Sequence, residues 1–138
     1  MNRALFAAAL LTLPACIVYS NDTAPGPVNR SPIIGWAEAG CFWDERSYDW
    51  VWYFDAEVDD PDGLADLTDV YADVLDDRDG RLVDSFLLED YGGGAFSTAW
   101  FQWDTYLDCR SGPYRVEFVA YDLFDAWDIY ATYPVQEW

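Results

Sequence analysis

Histidine and lysine do not occur in this chain of 138 residues, and methionine occurs once, at the first position. Without histidine there is no Ser-His or Cys-His pair, and without lysine there is no Ser-Lys dyad and no amine for a Schiff base. Cysteine is scarce: Cys16, Cys41 and Cys109 are the only three. The usual zinc sites fail with them, because Cys41 and Cys109 are better used as a disulfide. Carboxylates are left as the only reactive groups. A pair of them could hydrolyse a glycoside, but 26 aspartates and glutamates with no visible spacing rule single out no pair. The chain therefore reads as a non-enzymatic protein. Positive charge is also lacking, since seven arginines face those 26 acids and the formal net charge is −19. Such a surface repels nucleic acid and anionic headgroups, and neither is expected as a partner.

Long apolar runs are missing too. Residues 4–13 are apolar apart from Thr12 and follow the single charge of Arg3, which is the layout of an export signal. The run is too short to cross a bilayer, which needs ~20 apolar residues. Its end, Leu13-Pro14-Ala15-Cys16, resembles the lipobox of bacterial lipoproteins. The resemblance implies a signal peptide over residues 1–15, a diacylglyceryl group and an acylated amino terminus on Cys16, and attachment to a membrane of the bacterial cell envelope through those chains. Ile17 stands where aspartate would follow the cysteine. By resemblance to enterobacterial lipoprotein sorting, that points to the outer membrane. Ordinary secretion is the alternative, but its cleavage prefers a small residue at the antepenultimate position, which Leu13 is not.

Removing residues 1–15 leaves 123 residues (138 minus 15), one domain's worth, with a net charge of −20 (6 arginines minus 26 acids). Lipidation of Cys16 also takes the odd cysteine out of the count, and Cys41 and Cys109 remain as a disulfide pair in an oxidising compartment. Two buried free thiols are the alternative. Residues 16–31 read as the lipidated cysteine and a flexible tether, because Ser20-Asn21-Asp22-Thr23-Ala24-Pro25-Gly26-Pro27 is polar, proline-rich and without an apolar period.

From residue 32 to 138, alternation with period two dominates and helical periodicity is absent. Trp50, Trp52, Phe54, Ala56 and Val58 share one face of a strand whose other face carries Asp49, Asp55 and Glu57. Tyr114, Val116, Phe118 and Ala120 repeat the pattern, and residues 69–74 do so again. With weaker candidates at 33–38, 82–88, 96–103 and 129–135, seven strands are expected. Asp60-Pro61-Asp62-Gly63, Asp79-Gly80 and Gly92-Gly93-Gly94 supply turns between them. The expected fold is all-β, a seven-stranded antiparallel sandwich.

Three segments, Asn29-Arg30-Ser31-Pro32-Ile33, Val58-Asp59-Asp60-Pro61-Asp62-Gly63-Leu64 and Gly112-Pro113-Tyr114-Arg115-Val116-Glu117-Phe118-Val119-Ala120-Tyr121-Asp122, together resemble the bacterial immunoglobulin-like domains of cell-surface proteins. These include the cadherin-like, fibronectin-like and PKD-like groups. The resemblance covers about residues 31–135 and implies an immunoglobulin-like sandwich.

Two constellations stand out as candidate sites. Up-and-down strand order gathers Asp59, Asp60 and Asp62 with Asp122 and Asp125 at one pole, and Ca²⁺ takes 6 to 8 oxygen ligands from such convergent carboxylates. The competing reading is surface acidity around a good turn. Tyr53, Tyr71, Tyr121 and Tyr130 are expected on the outward phase of their strands, where rings flanked by carboxylates suit stacking on a sugar or contact with a partner. Against that, the same rings could merely pave the sheets through cross-strand pairing. The leading functional expectation is an envelope lipoprotein whose domain binds another protein or serves a structural role. The second is a surface carbohydrate-recognition module assisted by calcium.

Overall fold

The computed structural model describes residues 28–137, and the signal peptide, Cys16 and most of the tether expected from the sequence lie outside the described residues. Nine strands follow in order: β1 (Ile33–Asp44), β2 (Asp49–Asp59), β3 (Leu67–Asp76), β4 (Leu82–Leu87), β5 (Glu89–Gly92), β6 (Ala95–Phe101), β7 (Tyr114–Asp122), β8 (Trp127–Thr132) and β9 (Val135–Glu137). They form a five-stranded sheet in the order β5-β6-β2-β1-β9 and a four-stranded sheet in the order β4-β3-β7-β8. All pairs are antiparallel except β1 with β9. The all-β sandwich is as the sequence indicates, and its two sheets are compatible with an immunoglobulin-like arrangement.

Alternation dictates the core. In β2 the residues Trp52, Phe54, Ala56 and Val58 are buried while the intervening ones face outward. From the other sheet Val70, Ala72 and Val74 of β3 and Val116, Phe118 and Ala120 of β7 meet them. Phe54 stacks on Phe86 with ring centroids 4.8 Å apart, and Trp52 lies 6.2 Å from Phe54. Facing aromatic and branched side chains fill the space between two sheets held roughly 10 Å apart.

Two further strands raise the count from seven to nine: β5 (Glu89–Gly92) lies beyond the segment expected at 82–88, and the segment expected at 129–135 is divided between β8 and β9. The chain from Leu82 to Gly92 changes sheets at Leu88. The Leu88 N–H still bonds the Val70 carbonyl at 2.8 Å, its side chain is buried in the core, and Glu89 then pairs with Ser97 of the other sheet. The last strand breaks at Tyr133-Pro134, because proline has no N–H to continue the ladder with β7, and Val135 resumes beside Gly40 of β1.

The first strand runs further than its alternation suggests, to Asp44, so Cys41 lies inside β1 rather than after it. It faces the core opposite Trp52 and forms a disulfide with Cys109, which lies between β6 and β7. Both cysteines are buried. The Gln136 side chain donates a hydrogen bond to the Cys109 carbonyl, tying β9 to the same place.

Candidate binding surface

The acidic pole is built by turns. Asp60 ends the run from β2, and its Oδ1 accepts the Asp62 N–H at 2.7 Å while its carbonyl accepts the Gly63 N–H at 2.9 Å. Gly63 has φ 119°, a conformation that glycine adopts without strain. Asp62 receives the Arg30 backbone N–H at 2.6 Å and the Arg30 guanidinium at 3.0 Å. Asp122 ends β7 and is almost wholly buried; it receives the Asn29 amide at 2.6 Å and the backbone N–H groups of Phe124 and Ala126, both at 2.8 Å. Asp128 accepts the Ile34 N–H at 2.9 Å. Asn29 and Arg30 thus fasten the chain leading into β1 onto this pole.

These contacts set the protonation of the carboxylates. Hydrogen bonds from the Arg30 backbone, then from its side chain, hold Asp62 below the usual carboxylate range, although Asp122 nearby opposes this. For Asp122 burial works against ionisation, and the bonds from Asn29, Ala126 and Phe124 outweigh it, so its carboxyl is also held low.

Of the five aspartates read as calcium ligands, Asp62 and Asp122 are occupied by Arg30, Asn29 and backbone donors. Asp59 accepts the Asp60 N–H at 3.0 Å, and Asp125 is exposed in the β7–β8 turn with φ 61°. Asp60 Oδ2 is buried with no protein partner. Among the described residues no group of three or more acidic or sulfur side chains is gathered where it could hold a metal ion. The aspartates present do not fit a calcium cage.

The outward face of the five-stranded sheet carries Tyr53. Its hydroxyl meets Glu38 at 3.2 Å, and its ring covers Gly40, where an added Cβ would come within 2.5 Å of the hydroxyl oxygen. Phe42 lies beside it at 6.2 Å between ring centroids. Glu38 stands directly opposite Asp55, a like-charge pair that costs stability.

The outward face of the four-stranded sheet is different in kind. One row across all four strands is apolar throughout: Leu87 of β4, Tyr71 of β3, Val119 of β7 and Ile129 of β8. Leu87 and Ile129 are about half exposed, at 53% and 44%, Tyr71 is partly exposed, and Val119 between Tyr71 and Ile129 is buried. The next row toward the acidic pole is Asp69, Tyr121 and Trp127, with Trp127 exposed at 55% and Tyr121 edge-on to Tyr71 at 6.4 Å. On the other side the row is Ser85, Asp73, Glu117 and Ala131, where the Ser85 hydroxyl donates to Asp73 at 2.6 Å.

The four tyrosines therefore separate. Tyr71 and Tyr121 share this face, Tyr53 lies on the opposite sheet, and Tyr130 is not outward. Tyr130 pairs in register with Phe118 and packs against the core. Trp127, Ile129 and Ala131 take the outward phase instead. Of the residues in the apolar row, Val119 had a signal in the sequence: it places an apolar residue on the phase of β7 that carries Arg115 and Glu117. No protein-family model, no curated protein and no solved structure matches the chain.

Proposed function

We propose that this chain is a lipid-anchored protein of the bacterial cell envelope whose immunoglobulin-like sandwich has no enzymatic role and binds another protein through the outward face of its four-stranded sheet. The carrying observation is the unbroken apolar row from Leu87 to Ile129, widened by Tyr121 and Trp127. Leu87, Ile129 and Trp127 leave apolar surface in water on either side of the buried Val119, and such patches with polar margins mark interaction sites. The anchor rests on the Leu13-Pro14-Ala15-Cys16 motif, which lies outside the described residues. Absence of histidine and lysine supports the non-enzymatic reading.

The test combines fatty-acid labelling with cross-linking in cells. Alkynyl palmitate is expected to label the wild-type chain and not Cys16→Ser. A photoreactive residue at position 129 or 87 is expected to trap a partner protein that one in the turn at Gly80 does not. No adduct from either face position would remove the basis of the proposal.

A carbohydrate-recognition reading has one specific observation in its favour, the ring of Tyr53 laid over Gly40 beside Phe42, with Glu38 at its edge. A flat ring bordered by a carboxylate acceptor suits a sugar face and its hydroxyls. Glycan-array binding that Tyr53→Ala abolishes would favour this reading, and binding unaffected by that change would count against it.

A further inference from the structure

Resting on the reading of this face as a protein-binding surface, we infer that its partner presents a basic amphipathic helix laid across the strands of the four-stranded sheet. Charge and spacing carry the inference. The apolar row is bordered on one side by Asp69, next to Tyr121 and Trp127, and on the other by Asp73 and by Glu117, whose charge Arg115 offsets. Among the strand residues of this face the one cation is Arg115, which is bridged to Glu117 at 2.9 Å. The margins therefore attract positive charge from outside.

Asp69 and Asp73 are four residues apart on one strand, roughly 13 to 14 Å. A helix with its side chains is about 10 to 12 Å across, so it fits between the acidic margins with its flanking lysines or arginines over them. The row spans three inter-strand spacings, roughly 14 Å, which about nine or ten helical residues cover. An apolar stripe at helical spacing would lie along the row from Leu87 to Ile129. A second copy of this chain is the wrong occupant, because it brings the same acids and a net charge of −19. An anionic membrane surface is repelled for the same reason.

The experiment uses the full chain in neutral phosphatidylcholine discs and two synthetic peptides with the same leucine stripe, one with lysine flanks and one with glutamate flanks. Fluorescence anisotropy of labelled peptide reads binding. The expected result is saturable binding of the lysine peptide, weakened about tenfold or more by Ile129→Asp and by Leu87→Asp. Asp69→Asn with Asp73→Asn should weaken it about three- to tenfold, most at low salt. The glutamate peptide should not bind. Equal binding of both peptides, each lost with Ile129→Asp, overturns the basic margin while leaving the face as a binding surface. No binding of the lysine peptide, or binding indifferent to both face substitutions, overturns the inference. The reading beneath it is judged separately, by whether positions 129 and 87 cross-link a protein in cells.

Discussion

Asp122 joins the end of β7 to the chain leading into β1, and its chemistry is decided by donors rather than by charge partners. Three hydrogen bonds converge on a buried carboxylate and keep it ionised against the pull of burial. Asp76 is a second case, lowered to about 2 by the Arg78 side chain and backbone. A carboxyl whose folded pKa lies below its unfolded value contributes stability that is present above the unfolded value and lost as pH falls through the folded one. Thermal melts should therefore show stability falling as pH drops from about 4 towards about 2. Asp122→Ala should lower the neutral-pH melting temperature by several degrees and flatten part of that fall; an unchanged acid limb would show that Asp122 contributes nothing to it. That aspartates crowd the turns of this pole was legible in the sequence, although no three of the described ones gather where they could hold a metal ion. Their partners were not, because Asn29 and Arg30 come from a segment whose composition reads as linker. Tyr130 was misphased for another reason: β8 carries Trp127 and Ile129 on one phase and Tyr130 on the other, so period two alone does not say which side is the core.

At the scale of the element, polarity alternation made β2, β3 and β7 readable, since each has a strongly apolar inner phase. The divided strands were harder. The strand expected at 82–88 gave no sign of β5 after it, and only packing in the core between the sheets makes Leu88 a crossing point. Leu88→Ala should destabilise the domain by about 2 to 5 kcal/mol in chemical denaturation, the range for truncating a buried leucine. A loss under ~1 kcal/mol would mean that the crossing does not depend on the buried side chain. The disulfide closes a separation of 68 residues and contributes on the order of 4 kcal/mol through the unfolded state. Its pairing was readable from cysteine count, while its site inside β1 was not. The Cys41→Ala, Cys109→Ala double variant should unfold at markedly lower denaturant concentration; a midpoint unchanged from wild type would contradict that estimate.

For the whole molecule, electrostatics and surface apolarity pull in different directions. Seven cations cannot balance 26 acids, and only three salt bridges occur among the described residues. Self-repulsion dominates, with facing acids such as Glu38 and Asp55 adding to it. Raising sodium chloride at neutral pH should raise the melting temperature, because screening relieves more repulsion than it removes attraction. A flat or falling trend would mean that the few ion pairs matter more than the excess charge. The same imbalance makes the apolar row of the four-stranded sheet more telling, since a chain this acidic had many polar residues to place there and did not.

Hydroxyl-radical footprinting tests the central claim most directly, comparing oxidation of the protein in intact cells with that of the purified chain. Trp127, Tyr121 and Tyr71 report on the face, while Trp103 and Tyr106, exposed at 68% and 84%, serve as internal references elsewhere on the surface. A covered face predicts that Trp127, Tyr121 and Tyr71 oxidise several-fold more slowly in cells relative to Trp103 and Tyr106. Equal relative rates in the two settings would contradict it.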